Sequence, residues 1–262
     1  MKLRVVRADP AGNITLFVLS GVARFERAAI AARLMAVPAL AAEQVGFVCP
    51  PREGGDGRFE MMGGEFCGNA VRAFGMLTAR GRGLTGRVRV MVETIGCGGP
   101  VAADVDTAAG TARAEMPLPH FVRAAEDADV RGTLVHLGGI AHLVVERPPD
   151  AALLGAAEAL LAREGALAGL GAYGVIFLDG GRLTPLVKVV ETDTLVWEGS
   201  CGSGALAAAL AGSLSLRDGV FARDYVQPAG VIHAEVEKRG GAAVSAHIGG
   251  VVTVDEARDV EI

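Results

Sequence analysis

The residues most able to do chemistry in this sequence are cysteines. There are four, Cys49, Cys67, Cys97 and Cys201, and two of them stand in matched surroundings. Glu65-Phe66-Cys67-Gly68-Asn69-Ala70 and Gly199-Ser200-Cys201-Gly202-Ser203-Gly204-Ala205 each place Cys-Gly-small polar residue directly ahead of an apolar helical pattern. An ordinary thiol has a pKa near ~8.5, and the unpaired N–H groups and dipole of a helix N-terminus can draw it down to about 3.5–7.5. The expectation is therefore a lowered pKa at both Cys67 and Cys201. The same N–H groups suit a carboxylate. Gly68, Gly202 and Gly204 carry no Cβ to keep a ligand off the backbone, and Asn69 and Ser203 can cap or donate.

Two such helix ends facing each other would hold a carboxylate between two thiols. That arrangement suits removal of the proton on the neighbouring carbon and its return on the opposite face, with thiolate as base and thiol as acid. Charge developing on the carboxylate would meet preorganised N–H donors. No phosphate loop or nucleophile–histidine motif competes. No histidine–carboxylate cluster has metal-ligand spacing, and no C-x-x-C pair is present, so no metal site is expected. Cys49 and Cys97 lack the motif and read as packing. His142 reads as a structural histidine, and His233 and His247 carry no signature.

The elements that must position these residues follow from periodicity. Strands are expected over Leu3–Arg7, Ile14–Leu19, Gln44–Cys49, Arg58–Met62 and Arg87–Glu93, and helices over Ala28–Met35 and Gly68–Arg80 with Gly81 as cap. Pro117 and Pro119 suggest a boundary. Beyond it come strands Leu134–Leu137, Leu143–Arg147, Val175–Leu178 and Leu186–Val190, a long amphipathic helix Asp150–Leu170, and a second Cys-headed helix Gly202–Gly212. The tail alternates over Ile232–Lys238, Ala243–Ile248 and Val251–Val254. The chain thus reads as two related halves, each supplying one cysteine.

Composition agrees with a small-molecule enzyme. The 262 residues are 51% hydrophobic with a net charge of −5, enough for a sizeable core and unsuited to nucleic acid or anionic membrane as main partner. No apolar run is long enough for a membrane span and the N-terminus shows no signal core, which predicts a cytoplasmic protein with reduced thiols.

The paired motifs resemble the two cysteine motifs of the diaminopimelate epimerases, amino-acid racemases that need no pyridoxal phosphate. Gly12-Asn13, Glu43-Gln44-Val45, Glu65 and Gly139 to His142 match the family in order, and the resemblance spans essentially the whole chain. It implies an α/β (α+β) fold of two pseudo-symmetric lobes, each a mixed sheet wrapped around a central helix, with the site in the cleft between them. The lobes would be 1–117, to which the tail 250–262 returns, and 118–249. Cys67 and Cys201 carry over as the acid/base pair, Asn13, Gln44, Gly68, Asn69, Gly202 and Ser203 as substrate-binding positions, and Glu65 and Glu198 as orienting groups. No cofactor is implied, and a homodimer is compatible with the family.

Departures from that pattern bear on the substrate. Val190-Glu191-Thr192-Asp193 lacks the arginine that grips the distal carboxylate of diaminopimelate. Ile140 replaces a substrate-binding asparagine, Glu60 to Gly64 lacks Asn-x-Asp-Gly, and Glu198 stands three residues before its cysteine rather than four. A site without a bidentate group should bind that dicarboxylate poorly. Met61 to Cys67 and Trp197 to Gly204 are instead similar to histidine racemases of opine-type metallophore biosynthesis, and Met61, Met62 and Trp197 could flank an imidazole. Histidine racemase is the leading expectation. Diaminopimelate epimerase is its alternative, and a non-catalytic anion-binding or thiol redox-sensing protein is the alternative of another class.

Overall fold

A computed structural model describes residues 1–128, 130–190 and 193–262. In chain order the elements are β1 (Lys2–Asp9), β2 (Thr15–Val18), α1 (Arg27–Met35), β3 (Gln44–Cys49), β4 (Gly57–Met61), α2 (Gly68–Gly81), β5 (Arg87–Glu93), β6 (Val101–Asp106) and β7 (Thr111–Glu115). There follow β8 (Phe121–Glu126), β9 (Arg131–His136), β10 (Ile140–Val145), α3 (Leu153–Arg163), β11 (Ala172–Asp179), β12 (Arg182–Val189), β13 (Thr194–Trp197) and α4 (Gly202–Gly212). The chain ends on β14 (Gly219–Gln227), β15 (Gly230–Arg239), β16 (Ala242–Val251), β17 (Thr253–Val254) and β18 (Arg258–Glu261). It divides into two compact units, Met1–Glu115 with Gly249–Ile262, and Met116–Ile248.

Each unit is a mixed sheet with the same alternation of pairings. In the first, β1–β2 is antiparallel, β2–β3 parallel, β3–β4 antiparallel and β4–β5 parallel. In the second, β9–β10 is antiparallel, β10–β11 parallel, β11–β12 antiparallel and β12–β14 parallel. The parallel steps need crossovers, which α1, α2, α3 and α4 supply. Internal similarity therefore extends from the cysteine motifs to the topology.

The two Cys-headed helices are the cores of their units. Ten residues of α2, from Gly68 to Ala79, are buried against β5, β6 and β7, and Phe74 joins Phe17 and Phe59 in a ring cluster with centroids 5.0–5.5 Å apart. Helix α4 buries every residue from Gly204 to Leu210 and packs on β15, β10, β14 and β11. Helix α4 is apolar almost all round and must be buried, whereas α2 turns an apolar face inward and keeps Arg80 in its last turn; each sheet wraps one of the two.

Several boundaries differ from the sequence reading. The helix expected over Asp150–Leu170 is confined to α3, eleven residues. It stops because Gly165 takes φ +67 and closes a Schellman turn, with Ala166 N–H donating to the Leu161 carbonyl at 2.9 Å. Helix α2 ends on the same device at Gly83, also φ +67, so Gly81 is helical rather than the cap. Strands β6, β7, β8, β13, β14 and β18 are absent from the expected set. In β6 and β7 the inward residues are largely alanines, Ala103, Ala112 and Ala114, whose weak hydrophobic contrast hides the alternation.

Candidate active site

In the first unit the parallel register pairs Thr15 with Gln44, which brings the β2 approach and the start of β3 to the N-terminus of α2. Cys67 is the N-cap of α2, in extended backbone (φ −132, ψ 108), and Ala70 N–H donates to its Sγ at 3.4 Å. The Gln44 amide lies 3.5 Å from Sγ through both its nitrogen and its oxygen. Gln44 Nε2 also donates to Asn13 Oδ1 and Thr15 Oγ1, each at 2.7 Å. Asn69 Nδ2 donates to the same Asn13 oxygen at 3.4 Å, and Asn13 Oδ1 is 4.0 Å from the thiol. Asn13, Gln44 and Asn69 thus form one polar cluster at Cys67. The Glu65 carboxylate bears on the thiol as a negative charge.

The second unit builds the same cap differently. Cys201 is the N-cap of α4 (φ −121, ψ 110), and Gly204 N–H donates to its Sγ at 3.3 Å. Gln227 of β14, buried and not foreseen from the sequence, clamps the cysteine backbone. It accepts from Cys201 N–H at 2.7 Å and donates to the Cys201 carbonyl at 3.2 Å. A β-strand glutamine carries no motif, so only the contact reveals it. The thiol is hydrogen-bonded to Glu198 and lies 3.4 Å from Ser203 Oγ, which is 2.9 Å from His142 Nε2.

Both thiols reverse the expected direction of titration. Burial pushes Cys67 up to about 11, against the downward pull of the Ala70 N–H and Gln44. Burial likewise pushes Cys201 well above the ordinary thiol value, and the negative charge of Glu198 adds to it. Desolvation disfavours the charged form, and here it outweighs the helix terminus.

Two further readings change. Gly204 is expected from the motif to open the helix end to a ligand. A Cβ there would instead stand 2.7 Å from Ile176 Cδ1 and 3.2 Å from Cys201 Sγ, so the glycine admits the β11 core and the thiol. Met61 is buried in the first core, whereas Trp197 is 47% exposed on β13 against Phe177. Met62 is half-buried. Cys49 accepts from Arg27, and Cys97 donates to the Thr94 and Gly99 carbonyls. Of the arginine-free stretch Val190 to Asp193, Glu191 and Thr192 lie outside the described residues. A cavity of about 480 Å³ between Glu146, Asp179 and Arg223 is lined by none of the expected site residues. Among the described residues no His/Cys/Asp/Glu group could hold a metal ion, and no helix is long and apolar enough to cross a membrane.

His142 makes the first prediction. It is fully buried, its Nδ1 has no partner, and burial lowers its pKa to about 3. Its neutral form therefore contributes stability fully present above the unfolded value near ~6.5 and lost as pH falls toward 3. At pH 4.5 the difference is roughly 2–3 kcal/mol. His142→Gln, which does not titrate, should lose less of its Tm than the wild type between pH 7 and pH 4.5. Parallel Tm curves would remove the buried neutral histidine.

The sequence matches the family described as histidine racemase CntK N-terminal domain over residues 2–257. The chain belongs to the histidine racemase family. Its relatives include the histidine racemase of Fusobacterium nucleatum subsp. nucleatum, 30% identical over 219 residues and 78% of either chain. That of Staphylococcus aureus (strain Mu50) is 25% identical over 232 residues, 86% of this chain and 85% of the relative. Among solved structures the fold is shared with a predicted epimerase from Pseudomonas aeruginosa, TM-score 0.68, 18% identity, covering 98% of this chain and 99% of that one. It is shared too with a hydroxyproline epimerase from Agrobacterium vitis, TM-score 0.65, 16% identity, covering 99% and 92%. As a member of this racemase family the protein is an isomerase with a mixed α/β fold.

Proposed function

We propose that the protein interconverts L- and D-histidine, with Cys67 and Cys201 as a two-sided acid/base pair that uses no cofactor. The observation that carries the mechanism is the repeated thiol placement. Each cysteine N-caps the central helix of its own unit and accepts the N–H three residues on, at 3.4 Å and 3.3 Å. The substrate assignment rests on the family match and the relatives' activity.

In this reading one cysteine, as thiolate, takes the α-proton, and the other, as thiol, delivers a proton to the opposite face. The C–H bond on one face breaks as that on the other forms, and the two sulfurs exchange protonation states. First-turn N–H groups at Gly68, Asn69, Gly202 and Ser203 meet the charge that develops on the substrate carboxylate. Asn13 and Gln44 position the substrate, and Glu65 and Glu198 hold the thiols. The thiols, Cys201 buried and Cys67 half-buried, are neutral without substrate, and the α-ammonium of the arriving amino acid supplies the opposite charge that favours a thiolate. The D-histidine formed would feed metallophore assembly, a role that rests on the resemblance of the motif stretches. In cells, disruption of the gene should then stop metallophore production, and added D-histidine should restore it.

The deciding assay is a panel of histidine, proline, hydroxyproline and diaminopimelate in deuterated water. Either enantiomer of histidine should drift to an equal mixture, with one α-deuterium incorporated. Exchange of another amino acid while histidine is untouched would replace the substrate. No exchange across the panel would sink the racemase reading and leave the thiol redox sensor.

A further inference from the structure

Arg72 is a charge with too few partners. It lies in the second turn of α2 at 0% exposure, the largest fully buried side chain among the described residues. Its Nη2 donates to the Pro10 carbonyl at 3.0 Å and to Asn69 Oδ1 at 2.8 Å, while Nε and Nη1 have no partner. A guanidinium shut away from water with idle donors is costly unless an anion compensates it. Cys67, once ionised, is the group whose charge favours the guanidinium. Burial lowers Arg72 only to about 10, so it remains a cation at neutral pH.

The guanidinium also decides which way Asn69 faces. Arginine is donor-only, so the Asn69 oxygen must turn toward it, and the amide nitrogen is left for Asn13 at 3.4 Å. The other charges around this cluster are Glu65 on the cysteine's own loop, Glu43 bonded to Asn13, and beside Glu43 the pair of Asp9 with Arg7 at 3.8 Å. At the other thiol the titratable neighbours are Glu198, which opposes ionisation, and His142, neutral and reaching it through Ser203.

We propose that Arg72 is the counter-charge and positioning residue of Cys67: its buried guanidinium stabilises the Cys67 thiolate and, by holding the Asn69 oxygen, turns the Asn69 amide nitrogen to Asn13, the residue that Gln44 shares beside the thiol. The inference rests on the reading in which Cys67 cycles between thiol and thiolate. It assigns the more readily formed thiolate to Cys67 and the retained thiol to Cys201.

The test is iodoacetamide alkylation of the intact protein at pH 8.5, with the Cys67 and Cys201 peptides resolved by mass spectrometry. Arg72→Met should slow Cys67 by about tenfold or more, the thiolate lost for each pKa unit, and leave Cys201 within about twofold. Arg72→Lys keeps the cation and should stay within about threefold of wild type. A merely structural arginine would loosen the core when replaced and speed both thiols. An unchanged Cys67 rate in Arg72→Met, or a lysine variant as slow as the methionine one, overturns the counter-charge. If Arg72→Met does not fold, the native protein decides. Its iodoacetate-to-iodoacetamide rate ratio should be about tenfold higher at Cys67 than at Cys201, because the anionic reagent is drawn to the cation. Equal or inverted ratios overturn the proposal. No substrate is needed, so the alkylation rates decide the role of Arg72 even in a protein that racemises nothing. Intact racemisation with matching rates would strike Arg72 alone.

Discussion

Cys67→Ser and Cys201→Ser should each lower the rate of racemisation by about three orders of magnitude, since one positioned acid or base is worth about 10²–10⁴. Inversion needs a proton taken on one face and supplied on the other, so either loss alone is sufficient. Serine leaves the scaffold in place. It is a better N-cap than cysteine, so Ala70 N–H and Gly204 N–H keep an acceptor, and the helices they open keep their first turns. The variants should therefore match the wild type in circular dichroism at neutral pH. The residual chemistry separates one-sided from two-sided schemes. In deuterated water, slow α-exchange without inversion should be confined to one enantiomer in Cys67→Ser and to the other in Cys201→Ser. Exchange of the same enantiomer in both variants, or full racemisation by either, would remove a thiol from the mechanism.

How much of this is legible in the sequence depends on contrast along the chain. Strand β5 and helix α4 have the bounds that periodicity gives, because Val88, Val90 and Val92 alternate with charge and because Gly212 ends an unbroken apolar run. Strands β6 and β7 escape notice, since alanine facing a helix at close range looks little different from alanine in a loop. Close packing asks for that small residue: a Cβ on Gly75 of α2 would stand 2.6 Å from the Cβ of Ala103. Strand β14 hides for another reason. Most of its residues are exposed; Tyr225 and Gln227 are buried, and Phe221 packs half-buried on Gly212.

At the site, residue identity carries further than residue environment. Asn13, Gln44 and Asn69 can be named from motif order, and the parallel β2–β3 register is what brings them to Cys67. Gln227 cannot be named, because it acts on the cysteine backbone from a strand distant in sequence. The link from His142 through Ser203 to Cys201 likewise depends on β10 lying against α4. The sign of the thiol shifts is the largest departure. A helix terminus is local and visible in sequence, whereas desolvation is summed over everything that packs around the sulfur.

That sign makes the second large prediction: alkaline pH should destabilise the wild-type protein more than a variant without the two thiols. In the unfolded chain Cys67 ionises near ~8.5, whereas in the folded protein burial holds it up at about 11. Below pH ~8.5 both states keep the proton and the stability is fully present. Above it the unfolded state alone releases the proton, so stability is lost progressively as pH rises toward 11. Cys201, pushed the same way, adds to the loss. Tyr173 and Tyr225, each raised to about 12, also titrate late, but they do so in both proteins and cancel in the difference. Tm of the wild type should therefore fall faster between pH 8 and pH 10 than Tm of Cys67→Ser/Cys201→Ser. Alkylation by iodoacetamide should rise about tenfold per pH unit from 7 to 9 at both thiols with no plateau. Had the helix termini prevailed, the folded thiols would ionise first. The wild type would then gain on the variant as pH rose to about 8.5, and alkylation would level off below neutrality. The two outcomes differ in sign, so one titration of Tm separates a buried proton-transfer pair, charged only when substrate arrives, from a pair of standing thiolates.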